Sequence, residues 1–331
     1  MPQCFLNKVT GMQNYIIRRL LLTIPILFLV SVIVFLAIRL VPGNIVDAMV
    51  ASQQITGATG RLDRAAIEKS LGLDKPVLVQ YGHWIERLVV HGDFGTDIWT
   101  KGPVLTEINK RWPVTLELAL LALIVAQLIA LPIGIFSALR QDTWGDYAGR
   151  SFAILCIAVP NFWIGTLVVV LPAIWRGYSP PIILASFTAD PVANLKMYIL
   201  PAIVLGMGMA GITMRMTRTM MLEVLRQDYV RTAWAKGLRE RVGVMRHALK
   251  NALIPVVTIV GGQLAVMIGG DVIIEQIFNL PGLGRLMLDS IAHRNYTVVS
   301  GVLMIFALGM VLVNLLVALT YGFFDPRVTY K

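Results

Sequence analysis

A six-span, all-α integral membrane fold is what this sequence predicts, and three observations carry the prediction. Of 331 residues, 56% are hydrophobic and only 15% are Asp, Glu, Lys or Arg, whereas a water-soluble domain spends about a quarter of its residues on charges. Six apolar stretches are long enough to cross roughly 30 Å of hydrocarbon, which takes about 20 helical residues. Lysine and arginine gather in alternate connections, as they do when basic loops are retained in the cytoplasm. The net charge of +10 then reflects anchoring to the anionic inner leaflet, and no basic soluble fold is left over to bind nucleic acid.

The spans fall near Leu20–Ile38, Val114–Ala138, Ser151–Trp175, Tyr198–Met221, Leu253–Glu275 and Thr297–Thr320. The first follows Arg18 and Arg19 as a signal peptide would, but it is too long and no small-x-small cleavage site follows, so it is expected to be a retained span. Pro132 and Pro160 are expected to kink the second and third spans, because proline removes a helical hydrogen bond. Gly206, Gly208 and Gly211 are expected to loosen the fourth. Gly261, Ala265 and Gly269 recur every four residues in the fifth and give it a ridge that another backbone can approach. Such ridges serve packing within one subunit, or an interface that shifts during transport.

With the N-terminus inside, the inner segments, counted with Arg215 and Arg218 at the inner end of the fourth stretch, hold 16 Lys and Arg and the two short outer loops hold 4, namely Arg176, Lys196, Arg285 and Arg294. The long segment from Arg39 to Arg111 mixes 9 basic with 8 acidic residues, and segments of that length obey the rule poorly. Both termini are therefore expected in the cytoplasm.

Catalytic and coupling chemistry are thin. The ionisable residues near membrane depth are Glu117, Asp271 and Glu275, each close to the outer end of its span, and Gln127, Asn161 and Asn314 are neutral. None sits at the midplane, where an ion-coupled carrier keeps its coupling site, and no inverted pair of broken helices is visible. No G-x-x-x-x-G-K-[ST] loop is present to cradle phosphates. Nor is there a Ser-His-Asp set, an H-E-x-x-H, or ligand spacing among His83, His91, His247 and His293. Cys4 and Cys156 are too isolated to frame a disulfide or metal site. No metal and no cofactor is expected in this chain, and it is not expected to be an enzyme. Energy for uphill movement would have to enter from outside it. Asn161, Trp163, Asp271 and Glu275 are candidates for lining a pathway; the alternative for Glu275 is that it caps or orients the outer loop.

The stretch from Leu225 to Leu253, LRQDYVRTAWAKGLRERVGVMRHALKNAL, holds Arg226, Arg231, Lys236, Arg239, Arg241, Arg246 and Lys250 between two apolar runs. Helical spacing puts Tyr229, Val230, Ala233, Trp234, Gly237 and Leu238 on one face, and Asp228, Arg231, Ala235, Lys236 and Arg239 on the other. Such a helix can lie on the anionic leaflet or dock on a partner, with Gly237 ending or bending it and admitting a close backbone.

The run D-Y-V-R-T-A-W-A-K-G-L, followed by H-A-L-K-N-A-L-I-P, resembles the cytoplasmic coupling loop of ABC importer permeases, and more narrowly the first permease subunit of the dipeptide, oligopeptide and nickel importers. Against the general E-A-A-x-x-x-G signature, Ala233 and Gly237 match, Arg231 and Thr232 replace the Glu and first Ala, and Pro255 lies further downstream, departures typical of that branch. The resemblance covers the chain beyond its first dozen residues. It runs through Tyr15–Leu21, Arg39–Gly43, Gly92-Asp93-Phe94-Gly95, Pro160–Gly165, Asn279-Leu280-Pro281-Gly282-Leu283-Gly284 and Asp325-Pro326-Arg327. Residues before Met12 have no counterpart, and Met12 is an alternative start.

The resemblance implies a type I importer permease in a bacterial or archaeal inner membrane. Residues 1–111 would form the tail, first helix and extracytoplasmic segment. Residues 112–331 would form a five-helix permease domain with a coupling loop over 223–252. A second, homologous permease would complete the pathway as a heterodimer, two ATPase subunits would bind and hydrolyse ATP below, and an extracytoplasmic binding protein would deliver ligand. Tyr229, Arg231, Thr232, Ala233, Lys236, Gly237 and Leu238 would make the ATPase-coupling contact. The Pro42–Trp112 segment would form a small cap against the binding protein or partner permease. Peptides are the expected substrate, with nickel chelates, glutathione, opines or short oligosaccharides as the alternative; a self-sufficient carrier or channel is the reading from a different class.

Overall fold

The computed structural model describes residues 2–40, 74–177, 186–237 and 242–324. Among the described residues, five helices are long and apolar enough to cross a membrane, within α1 (Pro2–Leu40), α3 (Val104–Leu139), α6 (Pro191–Leu225), α8 (Leu249–Ile268) and α11 (Tyr296–Phe324). The third expected span is not one helix. It is α4 (Trp144–Ala158) and α5 (Asn161–Arg176), joined at an angle of 88°, and the pair counts as a sixth, broken span. Pro160 causes the break: it forces Val159 into an extended conformation (φ −88°, ψ 123°) and starts α5 afresh. Helix α3, by contrast, runs on through Pro113 and Pro132.

The fold is built on the α3–α6 pair, which pack along their lengths. Ala122, Ala126 and Ala130 are fully buried, and Gly134 extends their four-residue spacing. A Cβ on Gly134 would lie 2.9 Å from the Met214 carbonyl, and one on Gly206 would lie 2.8 Å from that of Ala122. Small residues thus let the two backbones approach. The glycines of α6 do not loosen it. Gly206 admits α3, Gly208 admits the Asn161 side chain of α5, and Gly211 admits the Ala153 carbonyl of α4, so three helices close on α6. Gly261 on α8 meets Val317 of α11, and Ala265 is buried, while Gly269 lies at the helix end.

The fifth span also ends earlier than expected, at Ile268. Gly269 and Gly270 (φ +79°) turn the chain, and Asp271 caps a new short helix, α9 (Val272–Ile277), by accepting the Ile274 N–H at 3.1 Å. Helix α10 (Leu283–Ala292) follows and leads into α11. At this end of the bundle the Gly92-Asp93-Phe94-Gly95 turn docks. Asp93 accepts the Gly95 N–H at 2.8 Å, Gly95 adopts φ +88° against Thr297, and Phe94 joins the cluster of Val104, Ile108, Leu283 and Val302. Asp97 then accepts the N–H of Trp99 and the amide of Asn295, both within 2.8 Å, and latches the turn to the start of α11. The remaining helix, α2 (Val77–Val90), packs on α1.

Candidate functional site

The basic loop opens where α6 ends. Gln227 turns extended, and α7 (Asp228–Ala235) runs to Lys236 and Gly237, whose φ of +80° is a left-handed conformation that favours glycine. A Cβ there would meet only open space. A six-residue π-helical turn, Gly243–Ala248, then feeds α8. The apolar face of α7 is engaged in part by its own chain. Val230 is fully buried, and the Tyr229 hydroxyl accepts from the Asn251 amide at 2.9 Å. The Trp234 indole lies so close over Gly243 that a Cβ there would be 2.9 Å from its nitrogen. Asp228, Arg231, Thr232, Ala235 and Lys236 are exposed; Thr232 caps back to the Asp228 carbonyl at 2.8 Å, and Arg231 is 3.9 Å from Asp228. Of the residues expected to couple, Leu238 lies outside the described residues. The others sit together on α7 and its C-terminal turn, with Tyr229 turned partly toward α8.

Beside this loop lies a charge cluster that the sequence reading missed. Asp146, at the start of α4, is fully buried and accepts a forked pair of hydrogen bonds from Arg218 of α6, both at 2.7 Å. Ser137 of α3 donates to the same carboxylate, and so does the Asp142 N–H at 3.1 Å. Three helices are thereby tied ten residues before α7 begins. Such a planar, bidentate pair is among the stronger polar contacts available to a protein. Arg218 counts in the sequence as one more basic residue near a membrane edge; only its place on an otherwise buried face of α6 hints at a partner.

At the far end of α3, Glu275 is also fully buried. Its carboxylate accepts from the Thr115 hydroxyl at 2.7 Å and from the backbone N–H groups of Arg285, at 2.9 Å, and Gly284. Thr115 in turn accepts the Leu283 N–H at 2.8 Å. Glu275 therefore supplies an anion to the N-terminus of α10, where free N–H groups favour one. A Cβ on Gly282 would lie 2.2 Å from this carboxylate, so the glycines of the N-L-P-G-L-G run make room for it. Asp271 sits one turn away as the α9 cap. Asn161 is wedged against Gly208, and Trp163 is exposed on α5. The structure brings Asp271 and Glu275 together; Asn161 joins them only through α5, whose Gly165 packs on Ile274. Deeper in the bundle, Gln263 of α8 bridges to Thr213 and the Met209 carbonyl of α6.

At the latch to α11, burial alone would raise the Asp97 carboxyl, but the N–H groups of Trp99 and Thr100 and the Asn295 amide outweigh it and hold its pKa below the usual carboxylate value.

Residues 130–330 match the family described as binding-protein-dependent transport system inner membrane component. The chain belongs to this family. Residues 12–119 match the corresponding N-terminal membrane-component family. Among its relatives are the glutathione transport system permease proteins GsiC of Salmonella choleraesuis strain SC-B67 and of Pectobacterium atrosepticum, each 38% identical over 323 residues. The GsiC of Escherichia coli strain K12 is 37% identical over 320 residues. Each alignment covers 97% of this chain and 100% of the relative. An amino acid ABC transporter of known crystal structure aligns with a TM-score of 0.48 and 15% identity, over 65% of this chain and 93% of that one. The protein is thus a multi-pass, inner-membrane ABC importer permease and not an enzyme, and a permease of this family works with an ATPase and a substrate-binding protein.

Proposed function

We propose that this permease forms half of the translocation pathway of an ATP-driven importer for glutathione or similarly short peptide-like ligands. One observation carries the substrate: the end-to-end similarity, at 38% identity, to permeases of glutathione transport systems. Glutathione is itself a tripeptide, so a general peptide importer is the neighbouring reading, and the relatives favour the narrower one. A second permease would complete the pathway, two ATPase subunits would hydrolyse ATP below, and both termini would face the cytoplasm. Ligand selection would rest chiefly with the binding protein.

In this proposal α7 is the coupling helix. Its exposed polar face, with Arg231, Thr232 and Lys236, meets the ATPase, while Val230, Tyr229 and Trp234 hold it against the root of α8. A push on α7 then moves α8 as well as α6, and the Asp146–Arg218 pair carries the displacement into α3 and α4. Asp271, Glu275 and Asn161 would stand at the opposite end, where the pathway opens.

The deciding experiment is co-purification with the genomic neighbours of the chain, followed by ATP hydrolysis with each candidate binding protein, loaded with glutathione or with unmodified tripeptides. Stimulation by the glutathione-loaded protein alone is the expected result. Equal stimulation by ordinary peptides would return the substrate to the general peptide class, and a stable chain that recruits no ATPase would leave a self-sufficient carrier.

A further inference from the structure

Helix α2 belongs to a segment that its mixed charge would place in water, yet it docks on the middle of a membrane span. The charge-free stretch of α1 runs from Leu20 to Ile38, bounded by Arg19 and Arg39. The Tyr81 hydroxyl of α2 is 2.8 Å from that of Ser31, and its ring packs edge-on against Phe28 and Phe35 at 6.4 and 5.4 Å between centroids. Ser31 lies nine residues before Leu40, which at 1.5 Å per residue puts it about 13 Å below the end of α1. It is two residues from the centre of the charge-free stretch. A helix docked there is at hydrocarbon depth.

The composition of α2 agrees with that depth. Between Lys75 and Glu86 the chain reads PVLVQYGHWI, with no Asp, Glu, Lys or Arg. Trp84 packs on Phe35 at 5.8 Å, nearer the Arg39 end than Tyr81, so the helix rises toward that end as it runs. Within the helix the charged residues, Glu86 and Arg87, therefore come at the level of Arg39, whose guanidinium covers the Phe35 ring at 4.7 Å, while Asp74 and Lys75 flank its deeper start. Val90 then hands the chain to the Gly92–Gly95 turn at the end of the bundle. The face turned away from α1 is apolar and open: Leu78 is 84% exposed, and Val79 is exposed beside it. This face continues the exposed apolar surface of α1 itself, made by Leu29, Ile33 and Leu36.

We infer that α2 is a re-entrant helix embedded in the leaflet at the C-terminal end of α1, with Leu78 and Val79 against phospholipid acyl chains, and that this part of the Pro42–Trp112 segment is not a water-exposed cap. Its inner backbone groups are paired within the helix, the N–H groups of Val79 and Gln80 reach the Pro76 carbonyl, and its aromatic residues face the span while aliphatic ones face lipid. The inference stands on α1 and α2 alone and is independent of the substrate.

The test is site-directed spin labelling of the assembled transporter in phosphatidylcholine vesicles, with Cys4→Ser and Cys156→Ala removing the native thiols. Labels are placed at Leu78→Cys, at Leu29→Cys as a span reference and at His91→Cys as a surface reference. The expected result is free collision of the Leu78 label with oxygen and loss of collision with a water-soluble nickel chelate, as at Leu29 and opposite to His91. A Leu78 label as open to the chelate as His91 would overturn the inference in favour of a water-facing cap. Shielding from both reagents would overturn it in favour of a protein partner. Val79→Cys, read the same way, decides the matter if Leu78→Cys does not assemble.

Discussion

Two fully buried carboxylates sit at opposite ends of the α3–α6 pair, and they are neutralised by different means. Asp146 has a cation, Arg218, in forked contact, with Ser137 and the Asp142 N–H completing its shell. Glu275 has no cation: among the described residues its partners are the Thr115 hydroxyl and N–H groups at the start of α10. Arg285 offers Glu275 only its backbone and turns its guanidinium toward Asn279 and Asp289. An ion pair joining three helices next to α7 holds them in one geometry, which would suit the transmission proposed for α7. A carboxylate held by loop amides fixes a turn, and a turn can exchange its amide partners with less reorganisation. The end next to the basic loop is locked by charge, and the opposite end is shaped by dipoles.

The largest expected effect tests the lock. Arg218→Met leaves Asp146 buried without its cation, a change that typically costs about 3–5 kcal/mol. The expected outcome is a steep fall in folded yield and thermal stability in detergent, with recovery when Asp146→Leu is added. Wild-type stability in the single variant would mean that the pair is not what holds α4 to α6. The far end breaks differently. Gly282 has an ordinary φ of −88°, so Gly282→Ala is strained only because a Cβ would strike the Glu275 carboxylate. Glu275→Ser should relieve much of that cost, and the two substitutions should be non-additive in a double-mutant cycle by about 1–3 kcal/mol. Strict additivity of the two melting shifts would separate the glycine from the carboxylate.

These two ends were not equally legible in the sequence. Apolar length and the distribution of Lys and Arg suffice to locate the membrane helices, because both are properties of single segments. The N-L-P-G-L-G and G-D-F-G runs are visible as motifs, but their cause is not: Gly282 answers to a side chain seven residues upstream, and Gly95 to Thr297 across the fold. The break at Pro160 and the early stop at Gly269 show the limit of apolar length as a ruler, since a bent pair and a capped short helix read as uninterrupted spans. Asp146 and Arg218 are 72 residues apart, and nothing local marks either as the partner of the other. The alanine ridge at Ala122, Ala126 and Ala130 could have been found by its spacing, which matches the glycine ridge of α8.

A smaller effect probes how motion would leave α7. Tyr229→Phe removes one hydrogen bond to Asn251, about 0.5–1.5 kcal/mol, and leaves the exposed polar face intact. ATPase assembly should survive while the ATP hydrolysed per ligand transported rises, because α7 would be less firmly held to α8. A variant with an unchanged ratio would leave α6 as the sole route from the coupling loop.

The smallest expected effect lies at the latch between the Gly92–Gly95 turn and α11. Asp97 has a folded pKa below its unfolded value, which is about 3.9. Its ionised form is therefore favoured by folding, so its contribution is fully present above the unfolded pKa and is lost as pH falls through the folded one. The difference in thermal stability between the wild type and Asp97→Asn should accordingly be constant near neutrality and shrink below about pH 4. Asparagine keeps one acceptor for Trp99 and Asn295, so the gap itself should be modest, smaller than that of Arg218→Met. A gap that widens on acidification would have the wrong sign for a carboxylate stabilised by donors. It would place the latch with Glu275, as a group whose burial opposes its charge, and the contrast between the two ends would then rest on Asp146 alone.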